Sequence, residues 1–457
     1  MTENIAELET ASNPLAVAPL GKLMTSFAVP AIISLLVSSL YNIVDQIFIG
    51  QGVGMLGNAA TNIAFPVNTI ATATALLLGI GSASNYNLQL GGGNEENASR
   101  IAGTGLSALV ISGLAIAAVV LIFLKPLLYV FGATPDVLPY ALNYTGITSL
   151  GLPFLILTTG GNQLIRADGS PTYSMIGLLT GAILNTILDP LFIFVFHWGI
   201  RGAAAATVIG QVVSGIMVIV YFSKYRKMQV YEKMFRPKAA YLKMIISLGM
   251  AACINQIAMA VVQIVMNNTL RYYGASSIYG SDIPLACVGV ISKVNMLFMA
   301  ICIGLSQGSQ PILGFNYGAK NFARVKAAYK RAAVTCTIVA IIFFLCFQIF
   351  PRQIVSIFGT GSETYFHFAQ RYLRIFMFMT FANGIQPLSS GFFSSIGKAK
   401  LGIIMSLTRQ VIFLIPLILI FPIFFGIDGV MYAGPIADAA AAVTAVVFAQ
   451  REMKKMK

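Results

Sequence analysis

Long apolar runs separated by short polar stretches dominate this chain. About twelve of them reach the roughly 20 residues that a helix needs to cross a bilayer. Their approximate bounds are 24–49, 59–89, 99–124, 137–164, 173–196, 202–223, 244–270, 284–314, 326–350, 366–394, 401–424 and 429–449. Several runs exceed one bilayer thickness, which predicts tilted or kinked helices or extensions beyond the membrane. The pattern predicts an all-α polytopic membrane protein with twelve transmembrane helices.

The composition supports this interpretation. Hydrophobic residues make up 57% of the 457 residues and charged residues only 10%, which excludes an ordinary soluble domain. The first 20 residues carry Glu3, Glu7 and Glu9 where a signal peptide would be basic, so the first span is expected to direct insertion. The five cysteines lie in or beside apolar spans without a CxxC motif, which indicates small core residues and no metal site or disulfide.

Positive charge is distributed unevenly along the chain. Of the 29 Lys and Arg residues, only six fall in the loops that would lie outside if the N-terminus is cytosolic, and Lys293 falls within a span. The six are Lys125, Arg201, Arg271, Arg352, Arg371 and Arg374. An excess of Lys and Arg marks cytosolic loops, so both termini are predicted to be cytosolic. The net charge of +14 then needs no nucleic-acid partner, because lipid headgroups suffice.

The two halves of the chain resemble each other. A shift of 225 residues places Gly79 on Gly304 and Ser84 on Ser309, and a shift of about 227 places 199–202 on 426–429. The chain is therefore predicted to contain two six-helix lobes, residues 1–223 and 244–457, joined by a basic cytosolic linker at 224–243. Because six spans is an even number, the two lobes should be related by a pseudo-twofold axis along the membrane normal.

Two acids fall inside predicted spans of the first lobe. Asp189 lies in an uncharged run, with Asn185 one helical turn before it and Pro190 directly after it. Asp45 lies in the outer half of the first span, at a comparable depth. Intramembrane acids usually mark an ion or substrate pathway, so the pair is expected to form one site. Two structural alternatives remain open: Asp189 tied to a neighbouring helix, and Asp45 lying at the membrane interface.

The second lobe has intramembrane charges of its own. Lys293 and Asp438 each enter from the outer side to a depth of about 13 to 15 Å, so they could form a neutralising pair. Such a pair could be structural or could take part in substrate binding or coupling. Arg409, near the cytosolic end of the eleventh span, is expected to extend to the headgroups.

Several stretches together resemble the multidrug and toxic compound extrusion (MATE) family, most closely its bacterial members. They are Asn185-x-x-x-Asp189-Pro190, the sequence QPILGFNYGA at 310–319 and the sequence SLTRQ at 406–410. The resemblance implies two helical bundles around a central cleft in a bacterial inner membrane. It also implies export of organic cations or other amphipathic compounds in exchange for inward H⁺ or Na⁺, with no cofactor and with each monomer holding a complete pathway.

The resemblance also implies an ion site in the N-terminal lobe. The acids of the family's proton-coupled type match Asp45 and Asp189, with Asn185 as the neighbouring amide. Tyr144 on the fourth span and Thr207 on the sixth match its hydroxyl partners. Oxygen ligands of this kind also suit Na⁺, so the ion stays open. The seventh and tenth spans lack acids, which argues against a Na⁺ site in the C-terminal lobe.

The expected mechanism is alternating access. Two close carboxyl groups can share a proton, and its binding would remove charge and let the first span repack about Pro30, with Pro190 as a second hinge. A flippase for a lipid-linked saccharide precursor is the alternative, although it should present several cations to a pyrophosphate. An enzyme is not expected, since His197 and His367 fall at span ends and no HExxH motif is present.

Overall fold

The computed structural model describes residues 13–229, 231, 234–280, 282–357 and 362–456. Within these ranges the chain is almost entirely helical and contains no β-strand. A backbone in hydrocarbon must satisfy its own hydrogen bonds, and a helix does so within a single segment. The predicted all-α membrane fold is confirmed.

We label the principal helices in chain order. In the N-terminal half they are α1 (Leu20–Gly52), α2 (Met55–Gly91), α3 (Glu95–Ile122), α4 (Leu138–Ala167), α5 (Pro171–Pro190) and α6 (Ile200–Val220). In the C-terminal half they are α7 (Ala239–Ala275), α8 (Asp282–Gly318), α9 (Phe322–Ile349), α10 (Glu363–Phe376), α11 (Thr380–Asn383), α12 (Ile385–Ser395), α13 (Ala399–Leu407), α14 (Ile415–Phe425) and α15 (Ile427–Lys455). The chain also contains three π-helical turns in the described residues. Leu191–Val195 continues α5, and Tyr221–Tyr225 continues α6. Thr408–Leu414 joins α13 to α14. Short helices occupy Pro14–Val17, Leu124–Val130 and Pro351–Ser356.

Eleven helices in the described residues are long and apolar enough to cross a membrane. Most extend past the predicted bounds. The first runs over Leu20–Gly52 where the hydropathy predicted 24–49. At about 1.5 Å per residue, a 33-residue helix is about 50 Å long, which exceeds the roughly 30 Å hydrocarbon core. The ends of such helices therefore reach beyond the apolar layer.

The predicted tenth span, 366–394, is not one continuous helix, and that prediction was wrong. Its residues form three consecutive pieces, α10 to α12. At the first break the backbone tightens, because the N–H groups of Phe378 and Thr380 bond three residues back to Ile375 and Met377. The Thr380 hydroxyl also donates to the Met377 carbonyl at 2.6 Å. Side-chain and three-residue hydrogen bonds here compete with the regular helical ladder.

The two halves exchange helix contacts in a symmetric manner. Helix α1 packs along α8, and its equivalent α7 packs along α2. The beginning of α1 buries Leu23 and Phe27 in the hydrophobic cluster of the C-terminal half. Asn316 of α8 donates its amide to the Leu15 carbonyl, just before α1, at 3.0 Å. The start of α1 therefore packs with the C-terminal lobe, although the sequence assigns residues 1–223 to the N-terminal lobe.

Backbone conformation repeats between the halves as the sequence shifts do. Four pairs of left-handed residues are separated by 226 to 228 positions, and seven of these eight are glycine, which adopts this conformation without steric cost. The pairs are Gly54 and Gly280, Gly93 and Lys320, Gly169 and Gly397, and Gly199 and Gly426. Equivalent turns at equivalent positions support the predicted duplication.

The lobes approach most closely on the side where the linker joins them, which we call the linker side. A β-carbon added at Gly249 of α7 would lie 1.7 Å from the Leu77 carbonyl oxygen, and one at Gly81 would lie 2.0 Å from that of Ile245. Between α1 and α8, a β-carbon at Gly308 would lie 2.5 Å from the Cα of Ala28. Glycine at these positions lets helix backbones touch.

The linker is attached to the N-terminal lobe. The Ser107 hydroxyl of α3 donates to the Phe235 carbonyl at 2.6 Å. Tyr241, at the start of α7, donates its hydroxyl to the Asn97 side chain at 2.8 Å. Met234 is buried against this surface. These contacts hold the linker and the start of α7 against the linker-side end of α3.

These contacts lead to a prediction about lobe closure. Gly249→Ala should force α7 away from α2, because the added methyl group would overlap the Leu77 carbonyl oxygen. Double electron–electron resonance between spin labels at the exposed Glu96 and Ala323 should then report a longer distance across the linker side. The control is Gly289→Ala in α8, where the methyl group meets no atom within 4 Å. An unchanged distance distribution in Gly249→Ala would contradict this account.

Candidate functional site

Two carboxyl groups from different helices meet inside the N-terminal lobe. Asp45 of α1 is buried with 9% of its surface exposed, and Asp189 of α5 is fully buried. Their side chains lie within hydrogen-bonding reach of each other. The structure therefore brings together the two acids that the sequence placed at one depth. Two carboxylates at this separation repel each other unless a proton or a metal cation lies between them.

Asn185 connects Asp189 to α6. In the amide orientation that satisfies both of its ends, Asn185 Nδ2 donates to Asp189 Oδ2 at 3.2 Å. Its Oδ1 then accepts from the Thr207 backbone N–H at 3.1 Å, with the Thr207 Oγ1 at 3.3 Å. Asn185 lies one helical turn before Asp189, so both side chains share a face of α5. The amide fixes one oxygen of the acid and leaves the other free.

Two tyrosines complete the surroundings of the acids. Tyr144 of α4 is buried and lies close enough to Asp45 and Asp189 to interact electrostatically with both. Tyr41 of α1, one turn before Asp45, does the same. Tyr144 was predicted from the sequence and Tyr41 was not. The spacing of four residues between Tyr41 and Asp45 was the signal that could have identified it.

One oxygen of each acid lacks a partner. The Oδ1 atoms of Asp45 and Asp189 are buried and have no hydrogen-bond partner among the described protein atoms. No Lys, Arg or His side chain of the described residues forms an ion pair with either acid; the ion pairs found there all involve other acids. A pair of acids without a protein cation is suited to bind and release a small cation, either a proton or Na⁺.

The two predicted hinges lie in different backbone settings. Pro30 is buried within α1, and its carbonyl accepts from the Ser34 hydroxyl at 2.7 Å. Pro190 is the last residue of α5, and the backbone continues as the π-helical turn Leu191–Val195. Proline removes a helical hydrogen bond, and π-turns often lie at functional positions. Asp189 is thus adjacent to a change in helix type.

A pocket lies on the far side from the linker, between the ends of α1, α4 and α6. Its volume is about 900 Å³, and its lining includes Tyr140, Asn143 and Arg201. Arg201 donates from Nε to the Asn143 side chain at 3.0 Å, which ties α6 to α4. Tyr140 and Asn143 precede Tyr144 on the same helix, so the pocket adjoins the end of the acid site that is farther from the linker.

The expected pairing of Lys293 with Asp438 is not formed. Asp438 of α15 instead accepts from Arg409 Nε at 2.5 Å, and both side chains are buried. The prediction that Arg409 extends to the headgroups was therefore wrong. Arg409 lies in the π-helical turn Thr408–Leu414, and the buried acid offers it a partner closer than the membrane surface. Lys293 is exposed and forms no ion pair with any described residue.

Comparison with known proteins identifies relatives across nearly the whole chain. The family model described as MatE matches residues 30–191 and 251–420. The multidrug export protein MepA of Staphylococcus haemolyticus is 28% identical over 429 residues, covering 93% of this chain and 92% of the relative. MepA of Staphylococcus aureus is likewise 28% identical over 430 residues, covering 94% and 93% of the two chains.

A solved structure shows the same fold. It is the outward-facing conformation of a multidrug resistance MATE family transporter of the MOP superfamily, with a TM-score of 0.90. Sequence identity to it is 22%, and the match covers 97% of this chain and 98% of that one. The predicted organisation into two lobes of six transmembrane helices is consistent with this likeness, with α10 to α12 together occupying the place of one span.

The buried pair Arg409–Asp438 leads to a prediction of stability. Arg409→Leu should lower the free energy of unfolding by about 3–5 kcal/mol, because it leaves the Asp438 charge buried and unpaired. The double variant Arg409→Leu with Asp438→Leu should recover most of that loss. Unfolding in mixed SDS micelles measures the stability of the single and the double variant. The matched control is Lys293→Leu, which removes a charge that forms no ion pair with any described residue. A double variant as unstable as the single one would show that the two charges do not stabilise each other.

Proposed function

The chain belongs to the MatE family of membrane transporters, and we propose that it exports organic cations or other amphipathic compounds in exchange for protons. The observation that carries the proposal is the carboxylate pair of Asp45 and Asp189, each with one oxygen unpartnered and no cation beside it. The relatives called multidrug export proteins support the substrate class. The arrangement of the N-terminal lobe supports the ion site.

The coupling follows from charge. With a proton bound between Asp45 and Asp189, the site carries one negative charge less, and the repulsion between α1 and α5 is relieved. Without the proton, the site favours binding of another cation. An amphipathic substrate cation can supply that positive charge from the cleft. Proton and substrate then compete for the same carboxylates, so loading one releases the other. Competition of this kind suffices for antiport when the site faces the two sides alternately.

Helix α1 is the element that relays the competition to the lobes. It carries Asp45 towards its far end, and Ala28 and Ile32 at its linker-side contacts with α8. Pro30 lies between these two contact residues. A change of charge at Asp45 therefore acts on the helix that closes the lobes against each other. In this proposal both termini and the linker are cytosolic, as the distribution of Lys and Arg indicates.

Sodium is the second candidate ion at the same site. The oxygen atoms of Asp45, Asp189, Asn185 and Thr207 are the ligand type that a hard cation prefers. A lipid-linked saccharide flippase is less well supported, because Arg409 is neutralised by Asp438 and is not available to hold a pyrophosphate.

Transport in proteoliposomes tests the proposal. An imposed pH gradient should drive a fluorescent organic cation in the direction opposite to the proton flow in the wild type. Asp189→Asn should abolish this movement because one carboxylate remains and the proton site shared by two is lost. The same measurement under a Na⁺ gradient assigns the ion. The control is Asp136→Asn, which changes an exposed acid outside the site and should leave transport intact.

The possible outcomes separate the candidates. Transport driven by Na⁺ alone would replace the proton with a coordinated metal ion at the same residues. Full proton-driven transport in Asp189→Asn would refute the carboxylate site. No transport of any organic cation under either gradient would refute the substrate class and favour a lipid substrate.

A further inference from the structure

A stripe that is polar except at Gly151 and Leu155 runs down one face of α4, from the carboxylate pair to the linker side. Its members recur every three or four residues, which places them within one face of a helix. They are Tyr144, Thr148, Gly151, Leu155, Thr158, Asn162 and Arg166, and we call them the α4 stripe. At about 1.5 Å per residue the stripe is about 33 Å long, similar to the roughly 30 Å hydrocarbon core. A polar face of this length connects the ion site with the linker side.

Buried polar atoms along the α4 stripe lack partners. Thr158 Oγ1, Asn162 Oδ1 and Arg166 Nε are buried and have no hydrogen-bond partner among the described protein atoms. A buried polar atom is unfavourable if nothing bonds to it. Internal water commonly satisfies polar groups of this kind, at about three hydrogen bonds per molecule. A row of unpartnered atoms on one helix face therefore indicates a row of water sites.

Helix α6 adds another unpartnered atom opposite the stripe. Gln211 lies one turn after Thr207, and its Oε1 is buried without a partner. This oxygen lies 2.1 Å from the position that a β-carbon on Gly151 would occupy. Glycine in the stripe thus makes room for a polar atom where a larger side chain would close the space. Above it, Asp189 Oδ1 is the unpartnered atom of the ion site. Unpartnered atoms thus occur both at the acid pair and farther along the lobe, at Gln211 and on the stripe.

Elsewhere α4 packs closely against α2, α3 and α6. A β-carbon on Gly113 of α3 would lie 2.7 Å from the Cα of Pro153, and one on Gly79 of α2 would lie 2.5 Å from the Cα of Gly160. Val218 of α6 fills the space against Gly161. Backbone contacts this close leave no room for water. At these contacts, water has no place beside α4.

A titratable group lies at the linker-side end. Asp168 follows α4 directly, and its carboxylate accepts from the Lys227 backbone N–H at 2.7 Å. The hydroxyls of Tyr221 and Tyr86 also donate to it, at 2.8 and 3.0 Å. Burial raises the pKa of Asp168, and these hydrogen bonds oppose the rise. Lys227, whose ammonium donates to the Gly169 carbonyl, is the nearest cation in this network. Asp168 is thus a buried, hydrogen-bonded acid at the linker-side end of the stripe.

We propose that the α4 stripe lines a hydrated path that carries protons between the Asp45–Asp189 pair and the linker side. The identity of the moving ion rests on the proposed function. The path itself rests on the unpartnered atoms. Water molecules bonded to Thr158, Asn162 and Gln211 pass a proton from one to the next. Arg166 and Asp168 mark the end where the proton leaves. The lobes remain closed to substrate on this side, so the path lets protons through while the larger compound is held back.

Transport kinetics test the path. Thr158→Val and Asn162→Leu remove polar lining and should cause loss of most pH-driven transport. Exchange of labelled for unlabelled substrate without a pH gradient should continue at the wild-type rate, with unchanged substrate affinity, because it needs no net proton movement. The matched control is Thr180→Val on α5, whose hydroxyl bonds only to the Ile176 carbonyl of its own helix. Equal loss of both activities would show that the stripe binds substrate or supports the fold, and would overturn the proposal. Unchanged pH-driven transport would overturn it as well.

Water access is a second measurement that does not depend on the coupling ion. In protein whose five native cysteines are replaced, Asn162→Cys should react with a small water-soluble methanethiosulfonate, and Leu157→Cys on another face of α4 should not. Leu157 is 7% exposed and Asn162 only 1%, so faster labelling at 162 can only reflect internal water. Absence of that difference would refute a hydrated path. If transport proves to be driven by Na⁺ alone, the ion assignment fails, and the labelling still decides whether the path exists.

Discussion

The rest of this structure depends on the close approach of two buried carboxyl groups. Neither is paired with a Lys, Arg or His side chain of the residues that the structure describes. Asp45 and Asp189 come from helices that lie far apart in the sequence, so their mutual repulsion acts directly between α1 and α5. Burial strengthens that repulsion, because the low dielectric of the lobe screens it poorly. In the proposed function the pair binds a mobile cation, and the packing of the two helices then depends on whether that cation is present. A structural role would be served better by a fixed partner such as the one Asp438 has in Arg409.

One helix connects this site directly to the contact between the lobes. Helix α1 is continuous from Leu20 to Gly52, so the residue that senses charge and the residues that touch α8 belong to one element. Glycines 304 and 308 bring α8 to backbone distance of α1, which makes this contact intolerant of small displacements. Because α1 and α8 touch through their backbones, they are either packed together or separated. A modest change of charge can select between these two states.

Prediction from the sequence was most complete where the signal was local. Hydropathy gave the spans, and the glycine-rich repeats gave the duplication, because both leave marks at fixed spacing. The acid site was also foreseen, since Asn185 and Asp189 share a helix face and Asp45 has a matching depth. Arg409 was misplaced because its partner Asp438 lies on a neighbouring helix, and hydropathy does not report which faces meet. The break between α10 and α11 depends on three-residue hydrogen bonds at Phe378 and Thr380 that have no signature in composition.

The two lobes share a backbone pattern and differ in how they neutralise charge. The turn glycines Gly199 and Gly426 place Gln211 at the position equivalent to Asp438. In the C-terminal lobe that position holds an acid whose charge is cancelled by Arg409, so no ion is needed. In the N-terminal lobe it holds an amide with an unpartnered oxygen, beside a carboxylate pair that lacks a cation. Duplication supplied two similar scaffolds, and one arginine neutralises the buried acid of the second lobe. In the proposed function, sensitivity to an external ion belongs to the first lobe, where α1 can convert it into movement of the lobes.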